Sequence, residues 1–195
     1  MRDIERAARE VLRRNDRGDF TVPSPRQYPH LWLWDAGFAA LGWAAVGDFD
    51  RAYREIRATL RGQWRNGMVP HVVFYGWPSA YFPGADVWRS QEVPEAPPDL
   101  PTSGITQPPV LAWVTEILFR RDPDRRRAAA FARAVFPALL AYHRWLHTAR
   151  DPDGLQLSLI VHPWESGMDN SPLWDLPLSR VPTDGLPPYS RGDIR

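Results

Sequence analysis

Directly after the dipeptide Gly47-Asp48, apolar residues recur at Phe49, Ala52, Tyr53, Ile56 and Leu60. Spacing of i, i+3, i+4, i+7 places side chains on one face of a helix and scatters them over both faces of a strand. The same period runs through the start of the chain, where Ile4, Ala7, Ala8 and Val11 sit among charges. It returns in the segment WDAGFAALGWAAV after Leu33. Gly47 stops that second helix and Asp48 caps the third. A further helix is expected after Pro108-Pro109 through LAWVTEILF, because proline is tolerated in a first turn. Asp124 is placed to cap one from about Arg125 to Ala134, with Pro137 opening another to about Thr148; a single kinked helix is the alternative. Asp151-Pro152-Asp153-Gly154 closes this region with a turn, and Leu155, Leu157 and Leu159 alternate as in a short extended piece. The closing Asp193-Ile194 pair resembles the cap and first turn of one more helix. The expectation is an all-α array of about six helices with no sheet and no fixed-period repeat.

Composition removes several function classes. The 24 basic residues, all arginine, nearly cancel the 23 acidic ones, so no global field draws the chain to nucleic acid or to anionic membrane. The arginines from Arg120 to Arg127 read as a solvated helix start, without the interleaved aromatics of a nucleic-acid site. With no cysteine, disulfides, thiolate metal sites and thiol nucleophiles are excluded. His143 and His147 lie on one helix, but HRWLH lacks the glutamate of a zinc protease, so neither metal nor cofactor is expected. The charged first helix is no secretion signal, and no apolar run approaches the roughly 18 residues of a membrane span. A cytoplasmic protein is expected, of undetermined oligomeric state.

What remains is a high density of aromatic rings: ten tryptophans in 195 residues, read as concentrated at helix ends and in loops beside polar groups. Sugars present flat C–H faces ringed by hydroxyls, and their sites combine aromatic plates with carboxylate, amide and imidazole groups. Four segments have that makeup. Tyr28-Pro29-His30-Leu31-Trp32-Leu33-Trp34-Asp35 brings two indoles and a carboxylate to a helix opening; Asp35 alone reads equally as a helix N-terminal charge and the tryptophans as core. Gly67-Met68-Val69-Pro70-His71 precedes Phe74, Tyr75, Trp77, Tyr81 and Phe82 in a Gly- and Pro-rich stretch from about residue 62 to 101. Such a stretch is too long for an ordinary connector and is a candidate functional loop. Ser103-Gly104-Ile105-Thr106-Gln107 sets an amide beside the next helix start, where capping is the simpler role.

The fourth segment, HPWESGMDNSPLWD from His162 to Asp175, holds Glu165, Asp169 and Asp175 with Trp164, Trp174 and Asn170 on irregular chain. Glycoside hydrolysis needs one carboxylic acid to protonate the leaving oxygen and one carboxylate to activate water or to attack. Asp169, between Met168 and nearby indoles, suits the acid, because an apolar setting raises a carboxyl pKa.

The blocks WLWDAGF, GMVPH, SGITQPPV, AYHRWLHTARDPDG and HPWESGMDNSPLWD resemble family 63 glycoside hydrolases, in particular the mannosylglycerate and glucosylglycerate hydrolase group. They stand in the family's order from about residue 28 to the end of the chain. The resemblance implies an (α/α)6 barrel, inversion at the anomeric carbon, and Asp169 as general acid. It also implies that Tyr28, Trp32, Trp34, Asp35, His71, Gln107 and Trp174 line the sugar pocket, with a small α-glycoside such as glucosylglycerate or mannosylglycerate as partner. Glu165 is expected to position or hydrogen-bond. Four residues from Asp169 on one short loop, it would hardly span the roughly 6.5–9.5 Å of an inverting pair.

The family's general base lies in the later half of the barrel, and nothing after Asp169 resembles it; Asp175, Asp184 and Asp193 come too soon. Residues 1–195 are therefore expected to form the N-terminal half of a single catalytic domain, inactive alone and exposing apolar helix faces that the other half would cover. Two other readings stay open: a non-catalytic sugar-binding fragment, and another (α/α)-barrel enzyme such as a sugar epimerase. The latter relies on a histidine acid–base pair, which the five histidines do not form in any visible way.

Overall fold

Helices α1 (Arg2–Asn15), α2 (Leu33–Ala45) and α3 (Phe49–Arg61) begin the fold. The computed structural model describes residues 2–76, 81–182 and 184; Trp77 and the Asp193-Ile194 helix start lie outside them. Gly47, at φ +90°, turns the chain between α2 and α3, a conformation that a Cβ disfavours. The Asp48 side chain accepts the Arg51 N–H at 2.9 Å, the expected cap. Phe49, Ala52, Tyr53 and Ile56 are buried as a stripe, with Leu60 packed at its edge.

After the long loop, which includes the one-turn helix α4 (Ala85–Trp88), come α5 (Leu111–Arg121) and α6 (Arg125–Ala149). Asp124 caps α6 by accepting the N–H groups of Arg126 and Arg127 at 3.0 Å each. Pro137 lies inside this one helix of 25 residues, so the two-helix expectation gives way to the continuous alternative. The reason is packing: Phe131, Val135, Leu139 and Tyr142 form one buried stripe that crosses Pro137 without a change of phase.

The core joins α2, α3, α5 and α6, with the Tyr53 and Phe131 rings stacked at 3.9 Å. Gly37 allows α2 to approach α5 closely, since a Cβ there would stand 2.8 Å from a Val110 methyl. The arginine cluster is absorbed locally: Arg127 pairs with Asp122 and Asp50, Arg120 with Glu116, and Arg125 lies over the Phe119 ring. No helix of the described residues is long and apolar enough to cross a membrane.

One expectation is corrected, that of an extended piece holding Leu155, Leu157 and Leu159, and two details are added. A two-residue antiparallel ladder does exist, β1 (Leu31–Trp32) against β2 (Val72–Val73), with Leu31 opposite Val73 and Trp32 opposite Val72. It is too short to leave a period-two signal in sequence. Leu155, Leu157 and Leu159 form no strand and are at least half exposed, because no neighbouring strand meets them. Trp43, Trp64 and Trp145 are core residues and Trp32 is buried in a smaller cluster. The indole N–H groups of Trp43 and Trp64 are satisfied there by the hydroxyls of Thr21 and Thr102, both at 2.9 Å. Trp113, Phe136 and Leu140 are exposed, and α5 and α6 border an apolar groove lined by Ala112, Phe119, Leu139 and Leu140.

Candidate active site

The four aromatic segments meet around the N-terminus of α2. The ladder between β1 and β2 delivers Trp32 to the first residue of the helix, and the Leu33 N–H donates to the His71 carbonyl at 3.0 Å. Trp34 and Asp35 therefore fall in the first turn. Here an expectation is corrected: Gln107 serves α2 rather than the start of its own following helix. Its side-chain oxygen accepts the Trp34 N–H at 3.2 Å, taking up one of the donors that a helix start leaves open. Gln107 is itself buried, and its carbonyl accepts the Tyr142 hydroxyl at 3.0 Å.

On one side of this turn Trp32 is buried among rings, edge-on to Tyr28 at 5.3 Å and to Tyr81 at 5.2 Å. Tyr28 stays half exposed at the rim. On the other side the segment from His162 to Trp174 crosses the helix end as a strap. Its 3-10 turn Pro163–Ser166 is capped by His162, whose Nδ1 accepts the Trp164 N–H at 3.2 Å. Trp164 turns towards His71 at 5.7 Å and Trp88 at 6.3 Å between ring centres. Gly167, at φ +68°, lies so near Trp34 that a Cβ would stand 2.9 Å from the indole.

Burial sets the electrostatics. His71 is 2% exposed and shares a 2.6 Å hydrogen bond between Nδ1 and the Ser103 hydroxyl. Burial, aided by repulsion from His162, pushes its pKa down to about 3, so the imidazole is neutral near pH 7. Asp35 is raised by burial to about 6. The apolar setting expected of Asp169 is thus found at Asp35 instead. Asp169 and Met168 are exposed, because Trp164 faces His71 and the Trp174 indole donates to the Met168 carbonyl at 3.0 Å. Asp169 accepts from the Asn170 amide at 3.4 Å, and its charge acts on His162.

Glu165, expected to position or to hydrogen-bond, is a buried hydrogen-bond acceptor. It is 5% exposed, and its oxygens accept from both terminal nitrogens of Arg150, at 2.7 and 2.8 Å, and from the N–H groups of Thr106 and Val161. Sequence reasoning missed Arg150, which reads as an ordinary cation at a helix C-terminus. It also passed over Trp164, Trp88 and Ser103 as individual site residues; Trp164 stood inside the motif, but nothing marks Trp88 or Ser103. Among the described residues no group of three histidine or acidic side chains is arranged to hold a metal. Chemically, the arrangement offers aromatic faces, a neutral buried carboxyl at mildly acid pH, and an open carboxylate on the strap.

A family described as the mannosylglycerate hydrolase MGH1-like glycoside hydrolase domain matches residues 28–193. A mannosylglycerate hydrolase of Thermus thermophilus is 57% identical over 187 residues, an alignment covering 95% of this chain and 44% of that protein. A glucosylglycerate hydrolase of Mycolicibacterium hassiacum is 42% identical over 189 residues, covering 94% of this chain and 42% of the relative. The crystal structure of the Thermus thermophilus family 63 enzyme in complex with Tris and D-glycerate superposes with a TM-score of 0.85 at 56% identity, over 94% of this chain and 42% of that one. This chain spans less than half the length of these relatives. With its helical fold, its motifs and its matched residues in agreement, the chain belongs to the mannosylglycerate hydrolase MGH1-like family of glycoside hydrolases, in family 63.

Proposed function

We propose that this chain is the N-terminal half of the single catalytic domain of an inverting glycoside hydrolase, which cleaves a small α-glycoside of glycerate. One observation carries the reading: the strap bearing Asp169 folds onto the helix end that bears Trp34 and Asp35, with Gly167 against the Trp34 ring. Asp169, exposed two residues beyond that contact, is read as facing the aromatic, amide and carboxyl groups of that helix start. Mannosylglycerate and glucosylglycerate hydrolases among the relatives, and D-glycerate in a related crystal structure, support glycerate as the aglycone.

In this reading Asp169 protonates the glycosidic oxygen as general acid, and the base that activates water is supplied by the other half of the domain. Trp34 and Trp174 offer ring faces to the sugar, and Asp35 and Gln107 supply polar groups at the same helix start. Tyr28 forms the rim with Trp32 buried behind it, and neutral His71 backs Trp164. A cytoplasmic setting belongs to the same reading.

The test uses the complete protein. Proton NMR of fresh product from mannosylglycerate and glucosylglycerate should show release of the β-anomer from one of them, with Asp169→Asn lowering kcat by about 100-fold or more. Normal turnover by Asp169→Asn, or retained anomeric configuration, would overturn the proposal.

A further inference from the structure

Two apolar contacts hold the strap: Trp164 packs on His71 and Trp88, and Gly167 lies against Trp34. Around them the chain from Leu155 to Val161 forms neither helix nor strand, and Leu155, Leu157 and Val161 are each more than 60% exposed, as are Met168 and Leu173. Beside those two contacts stands one buried carboxylate. Glu165 Oε1 accepts from Arg150 at 2.7 Å and from the Thr106 N–H at 3.1 Å; Oε2 accepts from Arg150 at 2.8 Å and from the Val161 N–H at 2.9 Å. Arg150 is fixed in turn, with its guanidinium over the Trp145 ring at 4.9 Å and its carbonyl accepting the Leu159 N–H.

These bonds join three elements: the C-terminal end of α6, the strap, and the loop that presents Gln107 to the first turn of α2. From Glu165 the chain reaches Asp169 through two further constraints, the Ser166 hydroxyl accepting the Met168 N–H at 2.9 Å and the left-handed turn at Gly167. A buried, bidentate ion pair is weak evidence for added stability, since desolvation offsets its attraction, but it selects one geometry sharply. We infer that Glu165, held by Arg150, is a positioning residue that sets where Asp169 stands relative to the wall formed by Trp34, Asp35 and Gln107. The inference rests on the reading of Asp169 as the acid.

Leaving-group dependence separates this role from a merely structural one. An α-glycosyl fluoride loses fluoride without needing full protonation, so a displaced acid matters little to it. In the complete protein, Glu165→Gln should lower kcat on the glycerate glycoside by about 100-fold, the scale of a displacement near 1 Å, with KM moving by less than about threefold. On the α-mannosyl or α-glucosyl fluoride the loss should stay within about fivefold, since the acid contribution of 100-fold or more is bypassed. Equal losses on both substrates, or no loss on either, overturn the inference. Should Glu165→Gln not fold by circular dichroism, Arg150→Lys, which keeps the charge and loses the fork, must show the same split; equal losses there overturn it. Asp169→Asn is the control. If it shows the split and the Glu165 and Arg150 variants do not, this inference fails alone; if Asp169→Asn turns over normally, the acid assignment fails and takes this inference with it.

Discussion

The side-chain oxygen of Gln107 accepts the backbone N–H of Trp34 at 3.2 Å, across 73 residues of sequence. A helix start is thereby capped by a residue from another loop, and the backbone of Trp34 is tied down by the same bond. Gln107→Ala should destabilise the complete protein by about 1 kcal/mol, the usual worth of an N-terminal cap. It should also raise KM several-fold. Thermal melts and initial-rate kinetics check both parts, and Gln107→Glu, which keeps the acceptor, should recover the stability.

Asp35 gives a pH dependence with a definite sign. Its pKa in the fold is about 6 against an ordinary 3.8, so the folded state holds the proton more tightly than the unfolded chain. The contribution is fully present below about pH 4 and is lost as pH rises through about 6. Asp35→Asn should therefore remove a decline in stability over that window and raise the melting temperature at pH 7, by up to about 2–3 kcal/mol in unfolding free energy. On the proposed reading of the site it should weaken sugar binding at the same time, since Asp35 is there a group that holds sugar hydroxyls. Melting curves from pH 4 to 8 on both proteins decide it.

Gly167→Ala places a methyl 2.9 Å from the Trp34 indole, at a backbone φ of +68°. The left-handed conformation alone costs about 1–2 kcal/mol with a Cβ. Displacement of the ring should lower kcat/KM about tenfold or more, the scale on which misplacing a site group acts. A variant with unchanged kcat/KM would show that the strap and Trp34 do not act together.

Arg51 and Glu55, both 1% exposed or less, pair at 2.9 Å in the core, and Asp16 binds the same guanidinium at 2.7 Å. Thr21 completes the group, its N–H and hydroxyl both donating to Glu55 and its oxygen accepting from Arg51 and Trp43. Glu55→Ala leaves that guanidinium half-paired in the interior and should destabilise by about 3–5 kcal/mol. Denaturant titration followed by tryptophan emission measures it. Activity per folded molecule should be unchanged, since this network lies apart from the pocket.

Local signals carried much of this molecule. Gly47-Asp48 and Asp124 mark helix boundaries through backbone conformation and capping, which are properties of a few adjacent residues. The ESGMDNS motif concentrates the strap in one place. Other features depend on partners remote in sequence. Pro137 reads as a break by its own chemistry, and only the uninterrupted stripe from Phe131 to Tyr142 against the core keeps α6 whole. The alternation of Leu155, Leu157 and Leu159 satisfies a strand pattern, yet without a neighbouring strand to pair with it stays coil. Likewise the ring environment written around Asp169 in sequence does not survive folding, because Trp164 is claimed by His71, while the burial goes to Asp35.

Since α6 runs unbroken, it is one rigid span. At 1.5 Å per residue its 25 residues make a rod of about 37 Å. One end meets Asp122, which accepts from Arg127 and the Tyr53 hydroxyl at 2.8 and 2.6 Å, and the other ends on Arg150. Phe131, Val135, Leu139 and Tyr142 seat the rod in the core along its length, so the footing of the residue that grips Glu165 is the whole helix core and not the strap itself.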